Sequence, residues 1–257
     1  GAPELLGLFD TFARSLLLPK LAELGWTPRD SDGHLTRKLR GELICVLPNF
    51  CATDAAVVGE ARRRFDAFVA APEGDGAKEL PAEYQEAVYK LVLKNGGEKE
   101  FDQILGLFDS LTLNTARKAA LQGLGAAPTD ALRTRALEFA IGGKVKLQDL
   151  FYVAISMHTS GEAGLHATWA FFKENLPKYT ELYDKASASL MDAVISGACR
   201  SFATAEKAAE VKAFFAAQTL PKNERTIAQL TESIETNAKY ADAVRASKAK
   251  AWLEARG

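Results

Sequence analysis

The stretch Phe101-Asp102-Gln103-Ile104-Leu105-Gly106-Leu107-Phe108 carries the pattern that decides the fold class. Its large apolar residues fall at positions i, i+3, i+4 and i+7, which places them on one face of an amphipathic α-helix. Gly96-Gly97 stands directly before it, where a preceding helix would end. We therefore predict one helix over residues 97–109 and another over residues 112–124.

The same periodicity recurs from one end of the 257-residue chain to the other. No convincing alternation of apolar and polar residues indicates a β-strand, and Ala and Leu, which favour helices, dominate over Val and Ile. We expect Thr53, Thr129 and Thr204 to act as N-caps and Pro177 to lie in a first helical turn. We predict fourteen helices, near residues 4–24, 34–48, 53–71, 81–95, 97–109, 112–124, 129–141, 146–157, 162–175, 178–187, 189–201, 204–217, 222–238 and 240–255.

Five phenylalanines in helices of similar character are spaced at intervals of 36, 38, 32 and 43 residues. These intervals overlap the length of two-helix repeats in superhelical arrays. One amphipathic hairpin cannot bury its apolar stripe alone, whereas a stack of hairpins can. The predicted fold is therefore all-α, a superhelical array of antiparallel helix pairs of the HEAT/armadillo-like α-solenoid type. No segment resembles a flexible linker, so we predict one domain over residues 1–257. The five phenylalanines are Phe65, Phe101, Phe139, Phe171 and Phe214.

Charge and composition exclude several kinds of partner. The formal net charge is −1 and the pI is near 6.4, so no overall attraction to nucleic acid or to an anionic membrane is expected. No apolar stretch approaches the roughly 20 residues that span a bilayer. The run Arg62-Arg63-Arg64 has acidic neighbours, which favours an exposed face with ion pairs such as Arg62 with Asp66. A contact surface is the alternative for this run.

Three histidines limit the possible metal and catalytic sites. His158, Glu162 and His166 would share a face of one continuous helix, as metal ligands could. Thr159-Ser160-Gly161 breaks that helix, so we favour a solvent-facing loop between helices. No Ser or Cys has a suggestive His and Asp partner, and no phosphate-binding glycine loop is present. We therefore predict no catalytic residues, no metal and no cofactor in this chain.

His34, Arg37 and Arg40 lie at successive steps of three residues near the start of the second predicted helix. Apolar Leu39 and Leu43 flank Arg40, which favours a partly buried guanidinium paired with an acid. The alternative is a basic group on the concave face of the array, where it would bind a carboxylate.

Several runs, in order along the chain, resemble the C-terminal region of puromycin-sensitive-type zinc aminopeptidases, a subtype of the M1 metallopeptidase family. Weaker matches lie at residues 88–94, 167–175, 210–215 and 234–238, the last read with Glu232. The runs that carry the resemblance most clearly are Leu24-Gly25-Trp26-Thr27-Pro28 with Gly33-His34-Leu35, Glu60-Ala61-Arg62-Arg63-Arg64-Phe65, and Glu224-Arg225-Thr226-Ile227-Ala228-Gln229.

This resemblance implies a helical domain that closes over a zinc-bearing catalytic domain and admits peptides to the chamber between them. It implies a cytoplasmic aminopeptidase as the parent protein, with the zinc in the catalytic domain that is missing here. The family's His-Glu-x-x-His helix is absent from the sequence, so this chain is expected to hydrolyse nothing by itself. The resemblance names the parent catalytic domain and peptide substrates as partners. The candidate peptide contacts are His34, Arg37, Arg40, His158 and Arg225.

The alternative is a free-standing α-solenoid adaptor that binds another protein on its concave face. The chain begins at Gly1 rather than Met, which favours a piece of a longer protein. Leu5, Leu6, Leu8 and Phe9 give the first helix an apolar character that requires a neighbour. The isolated chain is therefore expected to expose a patch through which it can self-associate.

Overall fold

A computed structural model describes residues 3–256, which form fourteen α-helices, two short 3-10 helices and no β-strand. The 3-10 helices are Ala82–Tyr84 and Leu147–Asp149. In chain order the α-helices are α1 (Pro3–Leu24), α2 (His34–Phe50), α3 (Ala55–Ala70), α4 (Asp75–Glu79), α5 (Gln85–Lys94), α6 (Glu98–Ser110), α7 (Asn114–Leu124), α8 (Asp130–Ala140), α9 (Phe151–Thr159), α10 (Glu162–Tyr183), α11 (Ala188–Cys199), α12 (Ala205–Ala216), α13 (Glu224–Ala246) and α14 (Ala249–Glu254).

These helices fall into two compact units. The first unit comprises residues 3–128 and 248–256, and the second unit comprises residues 129–247. Within each unit, helices that are close in sequence pack on one another, as α5 does with α6 and α7, and α9 with α10 and α11. Such packing between sequence neighbours is that of an α-solenoid and confirms the predicted fold class. The single domain stays a prediction, since one domain can contain two compact units.

Helix α10 is continuous through Pro177, so the prediction that a new helix begins there was wrong. A proline in a helix interior costs about 3 kcal/mol, because it removes a hydrogen bond and crowds the preceding turn. Leu176, Tyr179 and Tyr183 are at most 6% exposed and continue the buried stripe on both sides of it. Burial of each such side chain contributes about 1.5–3 kcal/mol, which together exceeds the proline penalty.

Helix capping agrees with two of the three predicted N-caps. The hydroxyls of Thr129 and Thr204 accept hydrogen bonds from the backbone N–H three residues later, at 3.3 and 3.2 Å. The prediction for Thr53 was wrong, because the Asp54 carboxylate caps α3 instead, at 3.0 Å. A carboxylate also interacts favourably with the positive end of the helix dipole. Thr53 instead accepts a hydrogen bond from the Arg14 side chain at 3.3 Å.

The basic run on α3 is only partly an exposed, locally paired face. Arg64 is 4% exposed, and its Nε lies 2.7 Å from an oxygen of Glu60. Arg62 pairs at 2.9 Å with Glu100 of α6 rather than with the predicted Asp66. The ion pair therefore joins two helices, which a pattern confined to one helix cannot predict.

The second unit has an aromatic core at the start of α10. Trp169 and Phe172 are 2% and 1% exposed, so both rings belong to the core. The Glu210 carboxylate accepts hydrogen bonds from Lys207, Lys173 and the Trp169 indole at 2.6–2.9 Å. The Lys207 hydrogen bond, with those from Lys173 and Trp169, lowers the pKa of Glu210 to about 2. This network fastens α12 to α10.

Candidate functional site

A polar cleft of about 680 Å³ lies in the second unit, where α9, α11 and α13 meet. Gly197 allows α11 to approach α9 closely, because a Cβ at this position would lie 3.1 Å from the Ile155 side chain. Side chains from the ends of α9 and α11 face one long side of α13 across the opening. The polar residues that line it include His158, Ser196, Arg200, Ser201, Glu232 and Asn237.

His158 is the most buried ionisable group of this cleft. Its side chain is 9% exposed and lies against the backbone of Ala154 and Gly197. The interpretation of residue 158 as part of a solvent-facing loop was wrong, because α9 continues to Thr159 before the break. Burial lowers the pKa of His158, and this effect outweighs the opposing hydrogen bonds to the backbone of Ala154 and Gly197. The ring is therefore neutral at neutral pH, with one nitrogen able to donate and the other to accept.

Arg200 stands at the C-terminal end of α11 with its side chain exposed. Within residues 3–256, no carboxylate forms an ion pair with its guanidinium. The amide of Asn237 donates to the backbone oxygens of Arg200 and Phe202, both at 3.3 Å, and so fixes the backbone here. The guanidinium keeps its donors available for a planar anion such as a carboxylate.

Arg40 has a different environment, in the first unit. Its side chain is 0% exposed, and Nη2 lies 2.6 Å from Asp32. Nη2 also donates to the oxygen of Leu24, and Nε to that of Gly25, both at 3.1 Å. A hydrogen bond from the Arg29 backbone lowers the pKa of Asp32, and Arg40 contributes to the same shift. The expected pairing of Arg40 with an acid is confirmed, and the pair holds the loop between α1 and α2.

The other candidates are exposed. His34 and Arg37 lie on the first turn of α2, and Arg225 lies on the first turn of α13. Of the five candidate peptide contacts, His158 is the one that lines the cleft described above. Sequence reasoning missed Arg200 as a candidate. The match at residues 234–238, read with Glu232, could have pointed to this part of the fold. Residues 232, 236 and 237 form one wall of the cleft.

The described residues offer neither a metal site nor a membrane-spanning helix. Among residues 3–256, no group of three or more His, Cys, Asp or Glu side chains is placed to hold a metal ion. No single helix in this range is long and apolar enough to cross a membrane. The consecutive helices α2 and α3 reach the length and apolar content of a membrane span only when they are counted together, and a bend of 114° separates them.

A family model described as "ERAP1-like C-terminal domain" matches residues 2–236. The chain belongs to the ERAP1-like C-terminal domain family. The match includes all of the cleft-lining residues named above except Asn237, which immediately follows its end.

Curated relatives of this ERAP1-like domain include several aminopeptidases. Aminopeptidase M1-A of Oryza sativa subsp. japonica is 27% identical over 249 residues, which are 96% of this chain and 27% of the relative. Aminopeptidase M1 of Arabidopsis thaliana is 27% identical over 226 residues, 87% of this chain and 25% of the relative. Alanine/arginine aminopeptidase of Saccharomyces cerevisiae is 24% identical over 241 residues, 92% of this chain and 27% of the relative.

The chain thus spans about a quarter of the length of these relatives. Together with the family match, this confirms the resemblance to the C-terminal domain of an M1 aminopeptidase.

Proposed function

We propose that this ERAP1-like domain is the non-catalytic C-terminal domain of a zinc aminopeptidase. There it caps the active site and positions peptides for removal of their N-terminal residues. The family match and the aminopeptidase relatives support this function, and the sequence lacks a His-Glu-x-x-His helix. The catalytic zinc would lie in the larger remaining part of such a protein. Its proposed partners are that catalytic domain and peptide substrates, and its proposed location is the cytoplasm.

The cleft at His158 is the observation that carries the peptide-binding part of this proposal. A peptide's C-terminal carboxylate would accept hydrogen bonds from the unpaired guanidinium of Arg200. His158 lines the same cleft and is proposed as a further contact.

His34 and Arg37 of the first unit and Arg225 of the second unit are exposed, and each is proposed separately as a peptide contact. They are free to form charge-assisted or neutral hydrogen bonds with peptide oxygens. Arg40 is buried, so we propose that it acts on peptide binding through the loop that it holds.

Titration calorimetry of the chain with an acetylated nonapeptide tests the carboxylate contact. The peptide with a free C-terminus should bind at least about tenfold more tightly than its C-terminal amide, since tenfold is about 1.4 kcal/mol, within the range of one charged hydrogen bond. Arg200→Gln and His158→Gln should each reduce this preference. Lys239→Gln, at an exposed position on α13 outside the cleft, is the matched control. Equal affinity for the two peptides would exclude the carboxylate contact.

Steady-state kinetics of the full-length parent tests the positioning role. Arg200→Gln should raise KM for long peptides while leaving KM for a single-residue amide substrate unchanged, because only long peptides reach this cleft. If KM rose equally for both substrates, Arg200 would not position the distal end of the peptide.

The adaptor is the second candidate, and the exposed apolar residues of α1 favour it. Leu6, Phe9 and Leu16 are 60%, 45% and 59% exposed, as on a surface that binds another protein. The size of the native protein in its own cells distinguishes the two candidates. A band far larger than 27.8 kDa that co-purifies with zinc-dependent aminopeptidase activity supports the peptidase domain. A band of 27.8 kDa without peptidase activity supports the adaptor.

A further inference from the structure

The cleft at His158 contains one charged side chain that a carboxylate ligand leaves unused. Glu232 of α13 lines this cleft together with Arg200. Within residues 3–256, neither side chain forms an ion pair, with the other or with a third group. The cleft therefore presents an unpaired cation and an unpaired anion, which together are complementary to a ligand that carries both charges.

The hydroxyls near Arg200 belong to the anion-binding part of the cleft. Ser196 lies one turn before Arg200, and Ser201 follows it directly. In the part of the chain that the structure describes, neither hydroxyl has a hydrogen-bond partner. Both can donate to a carboxylate beside the guanidinium, whereas the ionised Glu232 can only accept. Glu232 therefore favours a cation next to the bound carboxylate.

The surface on the other side of Glu232 is also acidic. Glu232 lines a second cleft, of about 640 Å³, where α12 and α13 meet. Glu224 and Glu235 line it as well, and among its described lining residues Lys212 is the one cation. Phe215 adds apolar surface. The side chains of lysine and arginine suit this combination, because the aliphatic stem packs on apolar surface while the charged end stays in water.

We propose that Glu232 selects peptides whose C-terminal residue is lysine or arginine. The inference rests on the proposed peptide-binding function, with the terminal carboxylate at Arg200. The side-chain cation of the same residue then lies at Glu232. An uncharged C-terminal residue leaves Glu232 without a cation and binds less tightly. This selection acts at the distal end of the peptide, away from the N-terminal residue that is removed.

Titration calorimetry of the whole chain tests this selection. Two acetylated nonapeptides with free C-termini differ only in ending in lysine or in norleucine, which has an aliphatic stem without a charge. The lysine peptide should bind about three- to fivefold more tightly, which is the range of an ion pair with an exposed partner. Added salt should reduce this advantage, because Glu232 is exposed and its charge is screened.

The C-terminal amides of both peptides separate this inference from the proposed function. If each free acid binds more tightly than its amide but the lysine and norleucine peptides bind equally, the carboxylate contact stands and selection by Glu232 is overturned. If acids and amides bind equally, or if none of the four peptides binds, the carboxylate contact and the selection are both overturned.

Substitutions assign the selection to one side chain. Glu232→Gln should remove the lysine advantage and keep the preference for free acids. Glu181→Gln is the matched control, because Glu181 is an exposed glutamate on α10 outside both clefts. It should leave the advantage unchanged, and an equal loss in both variants would overturn the role of Glu232.

Charge reversal gives an independent readout. Glu232→Lys should bind a nonapeptide that ends in glutamate more tightly than the one that ends in norleucine, because the selecting charge is now positive. Circular dichroism should show the native helix content, since Glu232 is exposed. A Glu232→Lys chain that still prefers the lysine peptide would overturn the proposal.

Discussion

Arg40→Met tests whether this arginine is the structural link between α2 and the preceding loop. The guanidinium is 0% exposed and bonds Asp32 at 2.6 Å and the carbonyls of Leu24 and Gly25 at 3.1 Å. Met keeps much of the apolar stem but leaves these three acceptors without their donor. Breaking a buried pair on one side costs about 3–5 kcal/mol. Asp32 can turn towards water, and one nitrogen of Arg40 is already unpaired, so we expect about 3 kcal/mol.

Urea unfolding of the chain, followed by circular dichroism, measures this loss. The transition midpoint should fall while its slope stays constant, because a change of stability alone does not alter the surface exposed on unfolding. Arg37→Met is the matched control, since Arg37 lies three residues earlier on the same helix and is exposed. Its effect should stay within about 0.5 kcal/mol.

One result would refute this reasoning about Arg40. If Arg40→Met cost less than about 0.5 kcal/mol, as ordinary surface substitutions do, the buried bonds would not hold the loop. If the same variant also bound the free-acid nonapeptide at least tenfold more weakly, Arg40 would belong to the peptide contacts and not to the loop. A large loss of stability with Arg37→Met would refute the assignment of roles in the opposite way.

Three further predictions concern the second unit, and a fourth concerns one glycine of the first. Glu210→Gln should cost about 1–2 kcal/mol at pH 7 in urea unfolding. The pKa of Glu210 is lower in the folded chain than in the unfolded chain, so the ionised carboxylate stabilises the fold above its unfolded pKa. The difference between native and variant chains should therefore shrink as the pH falls from about 5 towards 2, where the folded carboxylate becomes protonated. His158→Gln should flatten the loss of stability below about pH 6.5, since burial lowers the pKa of His158 and the unfolded chain then binds the extra proton. His166→Gln, at an exposed position, is the control. If stability fell with pH equally steeply in the native chain and in His158→Gln, the prediction for His158 would be wrong. Gly164→Ala should cost about 1–3 kcal/mol in thermal unfolding, because its Cβ would overlap a backbone oxygen of α9. Gly106→Ala, with open space around it, should instead stabilise α6 by about 0.5–1 kcal/mol.

The helical pattern of the sequence was sufficient for the fold class, because the apolar period of each helix is a local property. Phe101 and its partners on α6 are buried as that period requires. The pattern failed where tertiary packing overrides local preference. Pro177 lies inside α10 because buried aromatic residues continue beyond it. Arg62 pairs across to α6 because Glu100 lies close in space, although it is 38 residues away in sequence.

Arg40 and Arg200 show which contacts of an arginine can be predicted from a sequence. Apolar neighbours on its own helix indicated that Arg40 is buried and paired, and the structure supplies the expected acid. No such local signal exists for Arg200, because its proposed role depends on a guanidinium that forms no ion pair within residues 3–256, at a place where three helices meet. His158 likewise depends on the approach of α11 at Gly197, which buries its ring. In a structural ion pair the donors bond acceptors of the same chain, whereas in a ligand site some donors have no acceptor within the chain. Those donors are identified only when all the neighbouring helices are in place.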